Sequence, residues 1–547
     1  MSTPAIRKAL DQIPEYLLPY TTTQKPDMYS LIDHSVWRFI MKISSDFFAD
    51  TAHTKYLEGL KETGISIERI PLVSEMDAKL KKIGWRAVAV SGFIPPAVFL
   101  EFMALGIMPI ACEIRKLENI AYTPAPDIVH EAAGHAPIVA DPDYNDYVRS
   151  YGEVAVKAIF SKKDMDLYEA IKKLSDVKES PRSTQDAIDE AQKGFEKAFA
   201  AVDYISEANQ LSRMAWWTIE YGLVGTPQDF KVYGAGLLSS MGESFHSFDE
   251  KVLKVPLTTD CVNMGFDITR PQPQLYVATS FESARDVLES YAKTMAFRTG
   301  GISGLSKARV SEMTTTSVLD CGLQISGTVT AFGIKGDTEV TSIQLNGPLQ
   351  LCENDQEIAG FEMSKLPKKL KVQLGVFSPK DVQGTVEKEQ TLKNGKKFLW
   401  VKTTDGYTLA TASTKVSSVY GGPADRALYI KSTWNGEYAS KEHASNLSPE
   451  QNALNEIFGT IRDIREKKLE LSSLNQVFSK LQKDFPKEWL SRFELVELAL
   501  TRKEEPEYFK TALAELKELR GVDEAHKELI DRGLKLLRKH TELEKFE

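Results

Sequence analysis

The chain has few cysteines, and those it has are scattered. Four cysteines occur among 547 residues, and none of them forms a CxxC pair: Cys112, Cys261, Cys321 and Cys352. This spacing excludes a cysteine-rich zinc site and gives no sign of a disulfide framework. It indicates reduced, mostly buried thiols, as expected of a cytoplasmic protein.

Long apolar runs and an excess of positive charge are also missing. No stretch approaches the roughly 18 apolar residues that a membrane-spanning helix needs. The N-terminus has no basic segment followed by an apolar one, as a secretory signal would. The net charge of −9 gives no electrostatic footprint for nucleic acid or anionic membranes. We therefore expect a cytoplasmic globular protein that binds neither nucleic acid nor a membrane.

The chain is long enough for three or four domains of roughly 150 residues each. After an N-terminal segment, 1–26, the apolar periodicity predicts a mainly α-helical domain over 27–300. A charged helical insertion at about 161–205 has few large apolar residues, and we expect it to carry no chemistry of its own. The glycine-rich stretch 298–304 marks the end of this domain.

A small antiparallel β domain is predicted over 305–430. Asn346-Gly347, Asn394-Gly395 and Asp405-Gly406 follow or separate short apolar runs, and such pairs favour tight hairpin turns. Residues 446–547 predict an α-helical region that begins with a capping box at Ser448. Its apolar stripes pack either on one another or on a second copy of the chain, so this region is a candidate for homo-oligomerisation.

Two of the eight histidines, His130 and His135, lie five positions apart beside Glu131. Zinc peptidases place their two histidines four apart. Five positions turn about 500° in a regular helix and leave the side chains about 140° apart. A helix end near Gly134 and Pro137, or a π-bulge, would bring them together. The spacing disfavours a peptidase, and the alternative of two unrelated histidines stays open at this point.

Two imidazoles do not complete a metal site, and Glu220 is a candidate third ligand. It lies in an aromatic and apolar segment, 216–223. A buried carboxylate needs a metal or another cation, although an exposed position on an amphipathic helix is the alternative. Two histidines and one carboxylate form the ligand set of non-haem iron(II) oxygenases.

Several blocks in order resemble the pterin-dependent aromatic amino acid hydroxylases, the family of phenylalanine, tyrosine and tryptophan hydroxylases. The resemblance covers roughly 27–295. The matching blocks are Arg115, 122–131, 126–137, 216–223, 233–243 and 277–281. They imply the hydroxylase fold for the mainly α domain.

The resemblance also implies roles for individual residues. His130, His135 and Glu220 would bind iron(II). Arg115, Glu131 and Ser239 would be the catalytic residues. The amino acid substrate would contact Arg115, Thr123, Pro124, Trp216, Ser239 and Ile268. The tetrahydropterin, either tetrahydrobiopterin or a related pterin, would contact Gly92, Phe93, Ile94, Phe99 and Glu131.

The implied reaction is ring hydroxylation of a free aromatic amino acid with iron(II), tetrahydropterin and O2. The apolar Ile268 favours phenylalanine, which would become tyrosine in phenylalanine catabolism; tryptophan is the second candidate substrate. A catalytically degenerate scaffold that binds a partner through its C-terminal domains is the alternative from another class. The chain departs from the family in several places. A C-terminal extension follows the matching part and resembles no recognised family. His135 and Glu220 are 220 − 135 = 85 residues apart, an unusually long gap, and Ala215 stands where a tyrosine is usual.

Overall fold

The structure is a computed structural model that describes residues 7–92, 94–121, 126–179, 184–267, 270–376, 378–433, 448–523 and 526–539. Phe93, Thr123, Pro124 and Ile268, four of the predicted site residues, lie outside the described residues. In these ranges no helix is both long enough and apolar enough to cross a membrane.

The first half is mainly helical, as predicted. Its helices up to the predicted insertion are α1 (Leu31–Thr51), α2 (Tyr56–Glu62), α3 (Val73–Leu80), α4 (Pro96–Leu105), α5 (Ala136–Val139) and α6 (Pro142–Ala155). Those of the insertion and beyond are α7 (Lys162–Glu179), α8 (Gln185–Ala200), α9 (Glu207–Ala215), α10 (Ala235–Ser239), α11 (Met241–His246), α12 (Phe281–Ala292), α13 (Ala296–Thr299) and α14 (Gly301–Ser311). The insertion therefore forms two helices, α7 and α8, which pack on each other.

Two small sheets accompany these helices. Strands β1 (Arg86–Val90) and β2 (Ile107–Ala111) pair in parallel, and α4 connects them. The second sheet has the order β4-β3-β6-β5 and consists of β3 (Leu223–Gly225), β4 (Phe230–Val232), β5 (Leu253–Pro256) and β6 (Gln274–Ala278). Both sheets carry residues of the apolar core that supports the site described below.

Several helix starts follow directly from local sequence chemistry. Helix α4 begins with Pro96, where a missing backbone N–H costs nothing. At α12 the Ser280 hydroxyl accepts from the backbone N–H of Ser283, and the Ser283 hydroxyl accepts from that of Ser280, so the two serines form a capping box. These signals place helix ends but do not determine what the helices pack against.

A nine-stranded sheet follows in the second half. Its strands are β7 (Thr314–Leu319), β8 (Leu323–Lys335), β9 (Glu339–Glu353), β10 (Gln356–Glu357), β11 (Lys369–Leu374), β12 (Thr385–Thr391), β13 (Lys397–Thr403), β14 (Gly406–Thr411) and β15 (Val416–Gly421). Eight of them have the order β12-β13-β14-β11-β9-β8-β7-β15, and β10 pairs with β9. The sheet is antiparallel except that β11 and β14 pair in parallel.

Two of the three predicted turns are present. Asn394-Gly395 joins β12 to β13, and Asp405 lies in the turn before β14. The prediction of a turn at Asn346-Gly347 is wrong, because β9 continues through these residues. Asn346 pairs with both neighbouring strands, and the Gly347 N–H donates to the Lys368 carbonyl at 2.8 Å, so the sheet already satisfies this backbone.

The C-terminal region is helical, as predicted. Its helices are α15 (Arg426–Thr433), α16 (Pro449–Arg465), α17 (Leu474–Asp484), α18 (Leu490–Arg502), α19 (Phe509–Val522) and α20 (Lys527–Arg538). The predicted stripes pack within the chain, because Ile461, Leu516 and Ile530 belong to the same buried apolar cluster as the first-half helices. A role in homo-oligomerisation stays a prediction.

Buried ion pairs join this region to α1. The Arg38 guanidinium lies 2.6 Å from Glu497 and 3.4 Å from Glu494, and all three side chains are almost completely buried. Arg465 of α16 lies 2.9 Å from Glu497, and Lys42 of α1 also pairs with that carboxylate. Three cations therefore surround the Glu497 carboxylate where α1, α16 and α18 meet.

Candidate active site

His130 and His135 lie in a π-helical segment, Val129–His135, just before α5. In a π-helix the backbone bonds span five residues, so positions five apart lie close together on one side. The two Nε2 atoms are 3.1 Å apart, and the ring centroids are 4.8 Å apart. Of the two arrangements that would bring these histidines together, a helix end or a π-bulge, the structure therefore has the π-helical one.

Glu220 reaches the histidines from a second π-helical segment, Trp216–Glu220, which follows α9. One carboxylate oxygen lies 3.3 Å from His130 Nε2 and the other lies 3.3 Å from His135 Nε2. Glu131 offers a further carboxylate, within 4.8 Å of ligand atoms of the two histidines. The fold therefore brings Glu220 next to His135 although the two are far apart in the sequence, and the Glu220 carboxylate bridges the two imidazoles.

Burial and mutual charge set the protonation of this cluster. Burial lowers the pKa of His130 to about 4. Burial also opposes charge on Glu220 and His135, but their mutual attraction outweighs it: the pKa of Glu220 falls to about 2 and that of His135 rises to about 9. Burial raises the pKa of Glu131 to about 7. At neutral pH a proton therefore resides on His135, facing the Glu220 carboxylate.

Two imidazole nitrogens and a carboxylate that face one another suit a divalent transition metal. Such an ion would take the place of the His135 proton and compensate the Glu220 charge. The three residues therefore fit a metal site, with His130 Nε2, His135 Nε2 and the Glu220 carboxylate as donors.

The tautomer of His130 is determined by Ser239. His130 Nδ1 lies 3.0 Å from the Ser239 hydroxyl, which itself donates to the Ala235 carbonyl at 2.7 Å. The hydroxyl therefore accepts from Nδ1–H, and the lone pair of Nε2 is directed toward Glu220. Gly134 permits this arrangement, because a Cβ there would lie 2.7 Å from the same carbonyl.

Asp127, for which the sequence alone predicts no role, connects His130 with Arg115. Its carboxylate accepts from Arg115 Nε at 2.8 Å, from Nη2 at 2.9 Å and from the Arg115 backbone N–H at 2.9 Å. It also accepts from the His130 backbone N–H at 3.1 Å. Although burial opposes its charge, Arg115 keeps the pKa of Asp127 below its usual value.

The Arg115 guanidinium is therefore held in one plane. Its Nη1 donates to the Ser239 carbonyl at 3.0 Å, in addition to the two bonds to Asp127. Three of its five N–H groups are used in this way among the described residues, and Nη1 and Nη2 each keep one further N–H. Arg115 also lines the cavity beside Glu220, which suits it to bind a carboxylate through two parallel bonds.

The described residues predicted to contact the pterin line the same cavity. Gly92, Ile94, Phe99 and Glu131 surround a space of about 540 Å³ together with Arg115, His135 and Glu220. The loop at Gly92 has a left-handed backbone, with a φ of 64°. Glu113, which the sequence analysis missed, accepts from the Gly92 N–H at 2.9 Å and from the Ser91 hydroxyl at 2.8 Å.

Trp216 lies outside the described lining of this cavity. Its ring stacks on Phe266, with centroids 4.2 Å apart, and on Tyr221, with centroids 4.5 Å apart. Its Nε1–H points to the Gln272 side chain at 3.3 Å. Its predicted contact with the substrate ring stays a prediction, as do the roles of Phe93, Thr123, Pro124 and Ile268.

Comparison with known proteins shows relatives of the first half of the chain. Residues 5–171 and 197–299 match the family described as biopterin-dependent aromatic amino acid hydroxylase. A phenylalanine-4-hydroxylase of Pseudomonas aeruginosa is 30% identical over 226 residues, which are 41% of this chain and 69% of that protein. That of Chromobacterium violaceum is 28% identical over 273 residues, which are 50% and 74% of the two chains.

Relatives of the chain also include an enzyme with a different name and a solved structure. A tyrosine 3-monooxygenase of Drosophila melanogaster is 27% identical over 49% of this chain and 40% of its own. A crystal structure of the C. violaceum enzyme with iron(III) and 7,8-dihydrobiopterin is 26% identical and has a TM-score of 0.40, covering 50% of this chain and 85% of that one. On the sequence matches, this chain belongs to the biopterin-dependent aromatic amino acid hydroxylase family.

Proposed function

We propose that the protein hydroxylates the ring of free phenylalanine to give tyrosine, using iron(II), a tetrahydropterin and O2. The observation that carries this proposal is that Glu220 contacts both His130 and His135, and that His135 and Glu220 line the same cavity as Arg115. Family membership supports the reaction class, and the phenylalanine-4-hydroxylases among the relatives support the substrate.

Iron(II) would be held by His130 Nε2, His135 Nε2 and the Glu220 carboxylate. Three protein ligands leave coordination positions open, as non-haem oxygenases require. Together with tetrahydropterin, the bound iron would supply the activation of O2 that the reaction needs. The protein contributes the positions of the ligands, because Ser239 orients His130 and the two π-helical segments direct all three donors to one point.

Arg115 would bind the carboxylate of the amino acid through its two remaining N–H groups. Asp127 keeps the guanidinium in one plane and compensates its charge when no substrate is bound. Because Asp127 also accepts from the His130 backbone, the substrate carboxylate and the metal lie at a fixed separation. This coupling would place the substrate ring relative to the iron.

The test is tyrosine formation by the full chain with phenylalanine, iron(II), O2 and tetrahydrobiopterin. We expect tyrosine with phenylalanine and little product with tyrosine or tryptophan. Product from tryptophan alone would overturn the assignment of phenylalanine as the substrate. No product from any aromatic amino acid, with iron bound as measured by elemental analysis, would overturn the enzymatic function and favour the degenerate scaffold.

A further inference from the structure

Helix α4 lies between the active-site cavity and a C-terminal segment of the chain. Phe99 and Met103 of α4 line the cavity. Val98 and Phe102, on another face of the same helix, belong to a separate buried apolar cluster that also contains Ile430 of α15. One wall of the cavity is therefore backed by a helix that lies far beyond the end of the family match.

An ion pair also connects α4 with α15. Glu101 of α4 is buried, and its Oε1 accepts from the Tyr16 hydroxyl at 2.9 Å. The guanidinium of Arg426, the first residue of α15, lies 3.7 Å from Glu101 Oε2, which has no hydrogen bond among the described residues. Because a buried carboxylate without a compensating cation is costly, this ion pair favours the observed position of α4 against α15.

Arg426 contacts two further elements. Its Nη2 donates to the carbonyl of Val156, which follows α6, and to the carbonyl of Gly421 at 3.3 Å, at the end of β15. The donors of a guanidinium have a fixed planar geometry. This one side chain therefore determines the relative positions of α4, the end of α6 and the nine-stranded sheet.

The junction at Arg426 lies directly behind the active-site cavity. Arg426 lines a small separate cavity of about 50 Å³. Leu100, Ala158 and Phe160 line both this small cavity and the active-site cavity. Since side chains in a protein interior are closely packed, a shift at Arg426 would be transmitted through this layer to the wall of the active site.

The amino acid side of the active site is held in a different way. The Arg115 guanidinium is fixed by Asp127 and by the Ser239 carbonyl, and neither of these residues belongs to α4 or α15. A shift of α4 should therefore alter binding of the pterin, to which Phe99 is assigned, more than binding of phenylalanine.

We propose that Arg426 is a positioning residue for the pterin side of the active site, and that it acts on Phe99 through Glu101 and α4. The part of the chain beyond the family match would then support cofactor binding without touching the cofactor. This inference rests on the proposed function, since it requires a pterin that binds against Phe99.

Direct binding of tetrahydrobiopterin to the full-chain protein, measured anaerobically by isothermal titration calorimetry, tests the inference. We expect Arg426→Ala to weaken binding about threefold to thirtyfold, as for changes that act through packed neighbours. In steady-state kinetics the KM for tetrahydrobiopterin should rise by a similar factor, whereas the KM for phenylalanine should not change. A general loss of structure would not separate the two KM values in this way.

Arg465→Ala is the matched control. The Arg465 side chain is 18% exposed and that of Arg426 is 25% exposed, and each pairs with a buried glutamate, in the case of Arg465 with Glu497 at 2.9 Å. Arg465 lies outside the described lining of the active-site cavity. This control should lower stability in urea unfolding without changing the affinity for tetrahydrobiopterin.

Glu101→Gln tests the same contact from its other side and does not depend on the folding of Arg426→Ala. It keeps the size of the side chain but removes its charge, so it should also weaken pterin binding. In the double variant the loss should not exceed that of Arg426→Ala alone, because both changes remove one contact. Additive losses would overturn the route through Glu101.

An unchanged affinity for tetrahydrobiopterin in Arg426→Ala would overturn the inference, and so would an equal loss in Arg465→Ala. These outcomes are separate from those of the proposed function. If the unaltered chain forms tyrosine with tetrahydrobiopterin while Arg426→Ala binds it equally well, only the role of Arg426 is misassigned. If the expected differences in affinity appear without any hydroxylation, the role of Arg426 stands and the proposed reaction fails.

Discussion

The two halves of the chain can be compared through one glutamate in each, the half-buried Glu220 and the fully buried Glu497. Glu220 faces two histidines, whereas Glu497 faces Arg38, Arg465 and Lys42. Despite burial, both carboxylates have a pKa below the usual value because of the cations beside them. An imidazolium can lose its proton to solvent near neutral pH and then bind a metal through the freed nitrogen lone pair, and a guanidinium cannot.

The cations that face a carboxylate therefore indicate its role. Histidines suit a metal-binding site, whereas arginines and lysines suit an ion pair that only stabilises the fold. His135 and Glu220 line a cavity, and in the proposed site a metal ion would displace the proton of His135. The Glu497 cluster joins α1 to α16 and α18, where it holds the C-terminal helices on the first half. Although the family match ends at residue 299, the remaining chain is not loosely appended, because its helices share an apolar core with the hydroxylase part.

The largest effect is expected for Glu497→Ala. It leaves the buried Arg38 without one of the two carboxylates that lie 2.6 Å from it, Glu497 and Glu68. Breaking a buried pair of this kind costs about 3–5 kcal/mol of folding free energy. Urea unfolding followed by circular dichroism measures this loss, with the exposed Glu504→Ala as the control. Specific activity of the folded fraction should be preserved. Unchanged stability would show that this cluster does not hold the two regions together.

Arg115→Lys should weaken phenylalanine binding, since lysine cannot reproduce the two-pronged contact or the pairing with Asp127. We expect the KM for phenylalanine to rise about tenfold to a hundredfold, as for the loss of one charge-assisted bond. Steady-state kinetics measure it, with Arg285→Lys, in the ion pair with Asp146, as the control. An unaltered KM would exclude Arg115 from substrate binding.

Gly421→Ala tests how closely the nine-stranded sheet is attached to the first half. A Cβ at Gly421 would lie 2.0 Å from the Ala158 carbonyl, and the Gly421 N–H donates to the Lys157 carbonyl at 3.0 Å. Overpacking of this kind costs about 1–3 kcal/mol. Thermal unfolding should show the loss, whereas Gly242→Ala, where nothing lies within 4 Å, should be close to neutral. A neutral Gly421→Ala would indicate a loose junction.

The two clusters should also differ in their response to pH. The pKa of His135 in the absence of metal is raised to about 9, so iron(II) must displace a proton below that pH. Affinity for iron should then fall about tenfold per pH unit as the pH drops from 9, equivalent to about 1.4 kcal/mol. Anaerobic iron titrations between pH 6 and pH 8 check this. A flat profile would mean that His135 is not a ligand.

Glu497 should respond only in acid. Its pKa is depressed in the folded state, so its contribution to stability is complete above the unfolded value of about 4.3 and is lost as the pH falls below it. Between pH 8 and pH 6 the difference in stability between the unaltered chain and Glu497→Ala should therefore change little, while iron affinity changes strongly. Parallel loss of both would contradict the separation of the two clusters.

The sequence predicts the residues with chemical roles in the site better than it predicts the residues that surround them. The spacing of His130 and His135 and the apolar setting of Glu220 point to a metal, since few other roles suit such residues. Asp127 has no comparable signal, because its function depends on Arg115 being folded against it. Helix α7 reaches the cavity only through long-range packing, which its charged sequence does not reveal.

Long-range strand pairing also outweighed a local turn signal. Asn346-Gly347 is a strong hairpin signal in isolation, but pairing of β9 with β8 and β11 satisfies the same backbone groups. The apolar stripes of the C-terminal helices predict burial without naming the partner. They pack partly on α1, which lies more than 400 residues away in the sequence. A local sequence pattern cannot predict a contact between residues so far apart.

Iron binding and tyrosine formation by Glu220→Ala, measured side by side with Glu118→Ala, test the central claim most directly. Glu118 is exposed and lies outside the cavity lining described here. We predict that Glu220→Ala loses high-affinity iron and iron-dependent turnover while its unfolding transition remains cooperative, and that Glu118→Ala retains both. Full turnover and stoichiometric iron in Glu220→Ala would contradict the assignment of the metal site.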